Sequence, residues 1–241
     1  LMNVYLNFLK FAQRPNGNFV NIVSYRKRRD NTNEEDVQGR AIWALGYVAS
    51  QDSLPEEITR QAERLFQKSL NGASSMRSPR AIAFAMTGLY WYLHSRPNKR
   101  MNEMFEEFAE RQVELYKNSS SREWQWFEDQ LTYSNSKLPE SLFYAYDLTR
   151  KKTYLDIAER TLAFLSAITF EKHHYSPIGE SGWYSRHKER AYFDQQPEDT
   201  ASMVETKIAA YKVTREKNHL EDASKAFQWF LGKNHLNQMV Y

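Results

Sequence analysis

The sequence predicts an all-α fold, an (α/α) toroid of helical hairpins, and three observations point there. Helical periodicity recurs from end to end, and no segment shows sustained strand alternation with hairpin turns. Helices apolar on most faces alternate with helices apolar along one stripe, as a buried inner layer alternates with a half-wet outer one. The inner helices start about 40 to 60 residues apart, the period of helix pairs stacked in a solenoid or closed ring.

Nine helices are expected, in chain order. The first covers 1–13. The second, 36–50, opens on Asp36, a carboxylate suited to a helix N-terminus. Ser53-Leu54-Pro55-Glu56 opens the third, 56–71, whose Ile58, Ala62, Leu65 and Phe66 share one stripe. Ser78-Pro79 opens the fourth, 79–94, where Arg80-Ala81-Ile82-Ala83-Phe84-Ala85-Met86 is apolar almost all round. The others are expected at 99–117, 135–149, 152–168, 197–214 and 218–232. Those near 36, 79, 135 and 197 form the inner layer; those near 56, 99, 152 and 218 form the outer one. The linkers 14–35, 118–134 and 169–196 are long, and each leads into an inner helix, whereas those leaving inner helices, such as 51–55, are short. This asymmetry would put the long loops on one face, and loops of that length in a compact domain usually carry function. Four inner and five outer helices fall short of six hairpins. The expectation is a single toroid domain over 1–241, a fragment of a larger toroid or a longer protein.

Composition narrows the function. With 41% hydrophobic and 26% charged residues and a mean hydropathy of −0.76, the chain reads as soluble. Its longest apolar stretch, 81–93, is too short for a bilayer, so no membrane insertion is expected. Thirty-three basic residues against 30 acidic ones leave a charge of +3, too balanced for a nucleic-acid binder. The one basic run, Tyr25-Arg26-Lys27-Arg28-Arg29, is answered by Glu34, Glu35 and Asp36 downstream. The absence of cysteine excludes disulfides and thiolate chemistry, and the expected location is cytoplasmic. The sequence lacks G-x-x-x-x-G-K-[ST], G-x-G-x-x-G and G-x-S-x-G, and its one adjacent histidine pair, His173-His174, makes a poor chelate. Neither a metal nor another cofactor is expected. Aromatic residues make up 15% of the chain; some must fill a core, but aromatics also supply the flat faces on which sugar rings stack, and composition alone does not divide them between the two jobs.

Three polar clusters end the long linkers. In the first, Asp36 and Arg40 lie four residues apart on one helix face, either a carboxylate held at the bottom of a cleft or a capped helix start with an ion pair. The second, Trp124-Gln125-Trp126-Phe127-Glu128-Asp129-Gln130-Leu131-Thr132-Tyr133, mixes rings, amides and acids as a polyhydroxylated ligand requires; an ordered loop anchored by its aromatics is the alternative. The third, Phe193-Asp194-Gln195-Gln196-Pro197-Glu198-Asp199, follows Gly182-Trp183-Tyr184 and gathers amides and acids that are expensive to bury unsatisfied. Paired carboxylates are what glycosidic cleavage needs, one protonating the leaving oxygen and one acting as base or nucleophile.

Six stretches, NEEDVQGRAIWALG, SPRAIAFAMTGL, WFEDQLTYSNSKLPESL, YSPIGESGWY, FDQQPEDTASMVE and FQWFLGKNHL, resemble in that order a bacterial family often labelled glycosyltransferase. That family belongs to the six-hairpin glycosidase-like superfamily of (α/α)6 toroids. The resemblance implies a carbohydrate-active toroid with its pocket at the mouth of the inner helices. It places Asp36 and Arg40 in E-D-x-x-G-R, Glu128 and Asp129 in F-E-D-x-L-T-Y, and Asp194, Gln195 and Gln196 in D-Q-Q-P. The leading expectation is a glycoside hydrolase-like enzyme acting on an oligosaccharide. Asp36, Glu128 and Asp129 are its acid and base candidates, with Asp194 and Glu198 behind them. Arg40, Gln195 and Gln196 would bind substrate, and Trp126, Tyr133, Trp183 and Tyr184 would stack on it. A sugar epimerase or isomerase, and a non-catalytic carbohydrate-binding toroid attached to a glycosyltransferase, are the alternatives.

Overall fold

Start and stop signals in the sequence mark several of the helix boundaries. The computed structural model describes every residue except Asn31, Asn33, Val240 and Tyr241. Asn33, which opens the NEEDVQGR stretch, therefore lies outside the described residues, as does the final Tyr241. The helices are α1 (Met2–Ala12), α2 (Glu35–Ala49), α3 (Glu56–Ser69), α4 (Pro79–Ser95), α5 (Lys99–Ser119), α6 (Lys137–Thr149), α7 (Lys152–Thr169), α8 (Pro197–Thr214) and α9 (Asn218–Phe227). Ser78 caps α4 by accepting from the Ala81 N–H, and Pro79 and Pro197 occupy first-turn positions that lack a hydrogen-bond partner anyway.

Most boundaries fall within two residues of expectation, and two of the differences have a local cause. α6 starts at Lys137 because Ser134 has φ 47° and Asn135 folds back on Thr132, accepting from its N–H at 2.9 Å and donating to its carbonyl at 2.6 Å. Such local side-chain bonds compete with helix. α9 ends at Phe227; the chain then closes tight turns, with Trp229 N–H on Ala226 O (3.0 Å) and Gly232 N–H on Trp229 O (3.3 Å). A 3₁₀ helix over Leu70–Ser75 and a two-stranded antiparallel pair, β1 (Gln130–Leu131) and β2 (Tyr184–Ser185), complete the elements among the described residues.

The chain falls into two compact units, Leu1–Ala109 and Glu110–Tyr241, divided within α5. In the N-terminal unit α2 packs against both α3 and α4. α4 is buried continuously over 80–90, as its all-round apolar sequence requires, while α3 buries Ile58, Ala62, Leu65 and Phe66 from one stripe. Contacts between α2 and α4 hold a near-constant sequence offset: Gly39 lies on Ala81 and Gly46 on Gly88. The two helices are therefore parallel. Their N-termini are tied by Glu35, which accepts from the backbone N–H groups of Arg77 (2.7 Å) and Ser78 (2.6 Å).

The C-terminal unit repeats this plan. α6 packs on α7 and α8, and α8 on α9. α6 and α8 are parallel, since Ser134 meets Glu198, Lys137 meets Glu205 and Thr206 donates to Ser136 O at 3.0 Å. α6 and α8 end on the same sequence, A-Y-x-x-T-R-x-K, at Ala145–Lys152 and Ala210–Lys217. In both copies the arginine takes the left-handed cap conformation (Arg150 φ 59°, Arg215 φ 64°), and its N–H bonds the tyrosine carbonyl four residues back at 2.8 and 2.9 Å. Thr149 and Thr214 donate to the carbonyls of Ala145 and Ala210. The repeat is thus a helix-stop device that turns an inner helix into the next outer one. Outer helices α5 and α7 are joined by Tyr154, whose hydroxyl donates to Glu110 at 2.6 Å. Burial and that carboxylate push the Tyr154 hydroxyl up to about 12.

Candidate active site

In the C-terminal unit the long loops 120–136 and 170–196 feed the adjacent N-termini of α6 and α8. The strand pair stitches them together, Gln130 opposite Ser185 and Leu131 opposite Tyr184. Each loop has its own anchor. In the first, Trp124 donates to Glu128 O at 2.6 Å, and the Trp124 and Trp126 rings pack on Phe164 of α7 at 5.1 and 6.2 Å. Trp126 is 0% exposed, so it cannot offer a stacking face; it fixes the loop. Tyr184 sets its edge against Trp124 at 5.5 Å and extends the same anchor.

The second loop is held by Arg190. It donates to the Ile168 carbonyl at the end of α7, to the Ser176 hydroxyl (2.8 Å) and carbonyl, and to Pro177 O (3.2 Å), with Tyr192 beneath it at 4.5 Å. Arg190→Ala removes a charge-assisted donor from at least three acceptors, and a loss of about 2–3 kcal/mol is expected. Limited proteolysis should cut the variant within 171–196 faster than the parent. Equal rates would mean the loop is held some other way.

These anchors bring two groups of candidate residues into position. Asp129 is 81% exposed and faces Arg186 (Oδ1 to Nη1, 3.6 Å), which is itself braced by Ser121 Oγ at 2.7 Å and by its N–H on Asp129 O at 2.8 Å. Glu128, Asp129, Gln130, Ser185, Arg186 and His187 line one open cleft of ≈ 540 Å³. At the helix N-termini, the buried Ser134 hydroxyl donates to Glu198, and the half-buried Tyr133 and Trp183 rings stand 6.4 Å apart. Asp194 instead accepts from Ser181 Oγ (2.7 Å), and Gln196 donates to Glu180. Gln195 spends its amide inside the protein, donating to Ser176 Oγ and accepting from Trp229 Nε1, both at 3.0 Å. It helps to build the loop, using one of its two amide N–H donors and one oxygen lone pair there.

In the N-terminal unit Asp36 accepts from Arg40 Nε at 2.8 Å, and the Arg40 guanidinium lies 4.3 Å above the Phe84 ring. Glu35, not Asp36, receives the backbone donors at the start of α4. Sequence reasoning missed Arg186, Arg190 and the buried pair Lys137 and Glu140 with its exposed partner Glu205. The i,i+3 spacing of Lys137 and Glu140 was a readable signal for an ion pair, but nothing in the spacing announces burial. Among the described residues, no group of three His, Asp or Glu is placed to hold a metal ion, and no helix is long and apolar enough to cross a membrane.

No protein-family model and no curated protein matches the sequence. Solved structures do match. An inactive variant of an α-1,6-mannanase of Salegentibacter sp. HEL1_6, with two aspartates replaced by alanine and in complex with α-1,6-mannotetrose, gives a TM-score of 0.68 at 13% identity over 95% of this chain and 69% of that one. An unsaturated glucuronyl hydrolase specific for heparin gives 0.67 at 14% identity, over 95% and 66%. A sugar epimerase from a ruminal bacterium gives 0.56 at 12% identity, over 95% and 83%. The chain thus spans 66% to 69% of the length of these two hydrolases. Likeness at such low identity shows the fold alone: this chain has the all-α toroid fold that these structures share.

Proposed function

We propose that this chain is a carbohydrate-active enzyme of the glycoside hydrolase type, cleaving an oligosaccharide with paired carboxylates and no cofactor. The observation that carries the reading is the cleft in which the consecutive acids Glu128 and Asp129 stand with Arg186. Glycosidic cleavage takes one carboxyl group to protonate the leaving oxygen and another to act as base or nucleophile. Asp129, facing a guanidinium, suits the charged role, and Glu128 or Glu198 the proton donor. Tyr133 and Trp183 supply ring faces beside Glu198. The mannanase, whose inactive form lacks two aspartates, supports the same choice. Asp36, clamped by Arg40, is the corresponding candidate in the N-terminal unit.

Asp129→Asn and Glu128→Gln should each keep the fold, because both sites are loop positions, and lower turnover about 10²–10⁴-fold. The assay is release of new reducing ends from a panel of oligosaccharides, with α-1,6-mannooligosaccharides first. Undiminished turnover in both variants would remove the assignment. The epimerase among the structural matches keeps a second reading open. Solvent deuterium entering recovered sugar, without new reducing ends, would select it.

A further inference from the structure

We propose that a second pocket of the C-terminal unit, separate from the acid cleft, binds a single neutral pyranose ring. It lies between the 193–195 segment and the turns after α9, encloses ≈ 300 Å³ and shares no lining residue with the cleft around Asp129. That volume is at the small end for ligand sites, about 300–1,000 Å³, and suits one ring better than a chain.

Both walls are rigid before any ligand arrives. On one side, Gly179 lies so close to Phe193 that an added Cβ would sit 2.0 Å from the Phe193 carbonyl. With Asp194 in the left-handed region (φ 58°) and Glu180 N–H on Asp194 O at 3.1 Å, this backbone contact turns the Phe193 side chain outward, where it is 66% exposed. On the other side, Asn234 is saturated. It donates to Trp229 O (2.9 Å) and Gln238 O (2.6 Å) and accepts from the N–H groups of Leu236 (3.1 Å) and Gln238 (3.3 Å). The Trp229 indole bridges the walls through Gln195. The His235 ring sets its edge on Phe193 at 5.9 Å and steadies it.

What remains uncommitted has the chemistry of a sugar site. Phe193 offers an aromatic face for the C–H surface of a pyranose, and Leu236 and Met239 add exposed apolar surface. Among the described residues, the Gln238 carboxamide makes no hydrogen bond, and Asp194 uses one carboxylate oxygen on Ser181 while the other is open. An amide and a carboxylate together match adjacent hydroxyls, as donor-acceptor and acceptor. Asp194 has no cation within ion-pair distance among the described residues, so an anionic sugar would be repelled and a neutral one accepted. The proposal takes only the ligand class from the carbohydrate reading above.

The test is titration with methyl α-D-mannopyranoside, methyl α-D-glucopyranoside and glucuronate, followed by saturation-transfer NMR. Wild type and Asp129→Asn should bind a neutral pyranoside equally. Phe193→Ala and Gln238→Leu should each weaken it about tenfold or more, and glucuronate should bind about tenfold more weakly. Phe193 is exposed, so its truncation should leave the circular dichroism spectrum unchanged. Wild-type affinity in Phe193→Ala, loss of binding in Asp129→Asn, or no binding of either neutral pyranoside to wild type would each overturn the pocket. Phe193-dependent binding in a protein that cleaves no oligosaccharide would uphold the pocket and remove the hydrolase reading; cleavage without Phe193-dependent binding would do the reverse.

Discussion

Lys137→Met is expected to destabilise the protein by about 3–5 kcal/mol, a fall in Tm of about 6–20 °C. Lys137 and Glu140 are 0% and 1% exposed, and the ammonium lies 2.7 Å from Glu140 Oε2 while also pairing with Glu205, whose side chain is 51% exposed. Glu140 further accepts from the Tyr144 hydroxyl at 2.7 Å. Burial raises the Glu140 pKa, and Lys137 opposes that rise. Burial alone would lower the Lys137 pKa, but Glu140 and Glu205 outweigh it and raise it. The signs follow. A raised lysine keeps its contribution below its ordinary value of 10.5 and loses it as pH climbs through the folded value. A raised glutamate favours its protonated form in the fold, so its contribution is present below 4.5 and is lost as pH rises through the folded value. Without Lys137 the Glu140 pKa rises further, so the deficit should be larger at about pH 8 than at about pH 5. Lys137→Met/Glu140→Gln should recover most of the loss, because a neutral amide costs far less to bury than an unpaired carboxylate. Urea melts at the two pH values read this directly. A pH-independent deficit, or a double variant worse than the single, would show that removing Lys137 does not leave the buried Glu140 carboxylate unpaired.

The same pair illustrates how far the sequence could be read. Helices came through well because their signals are local: Ser78-Pro79 and Pro197 mark starts, and the apolar stripe of Ile58, Ala62, Leu65 and Phe66 marks a face. The ends of α6 and α8 carry arginines where a stop would be expected to carry glycine, and only the paired left-handed caps make the A-Y-x-x-T-R-x-K repeat visible as a stop. At the candidate site, chemistry was legible but placement was not. Trp126 and Tyr133 belong to one run of aromatics, yet packing on Phe164 buries the first, and the second stays half-exposed against Trp183. Nothing in the D-Q-Q-P run announces that the Gln195 amide bonds Ser176 and Trp229. Arg186 reaches Asp129 across 57 residues of sequence only because β1 and β2 pair. Such choices are set by contacts remote in sequence, which periodicity and spacing do not encode.

Gly88→Ala should destabilise the protein by about 1–3 kcal/mol, or about 2–12 °C in Tm, against the usual direction for a helix interior. In an open helix the same change gains about 1 kcal/mol, because alanine loses less backbone entropy than glycine. Here a Cβ on Gly88 would stand 2.3 Å from Ile42 O and 2.8 Å from Trp43 Cα, backbone atoms that no rotamer change can move. A Cβ on Gly46 would likewise stand 2.3 Å from Gly88 O, so two glycines on facing helices make one close contact. To admit a methyl group, α2 must slide or lift from α4, and their N-terminal ends are joined by Glu35 on the Arg77 and Ser78 amides. The Asp36–Arg40 pair sits one residue further along α2, with Arg40 resting on Phe84 of α4. A shift that opens the crossing must therefore disturb the only carboxylate candidate of the N-terminal unit among those assigned. Gly46→Ala should show the same sign, and the Gly46→Ala/Gly88→Ala pair should lose less than the sum, since the first methyl already separates the helices that the second would push apart. A higher Tm in either single variant would mean that the two backbones do not touch, and the close parallel packing of α2 on α4 would fall with it.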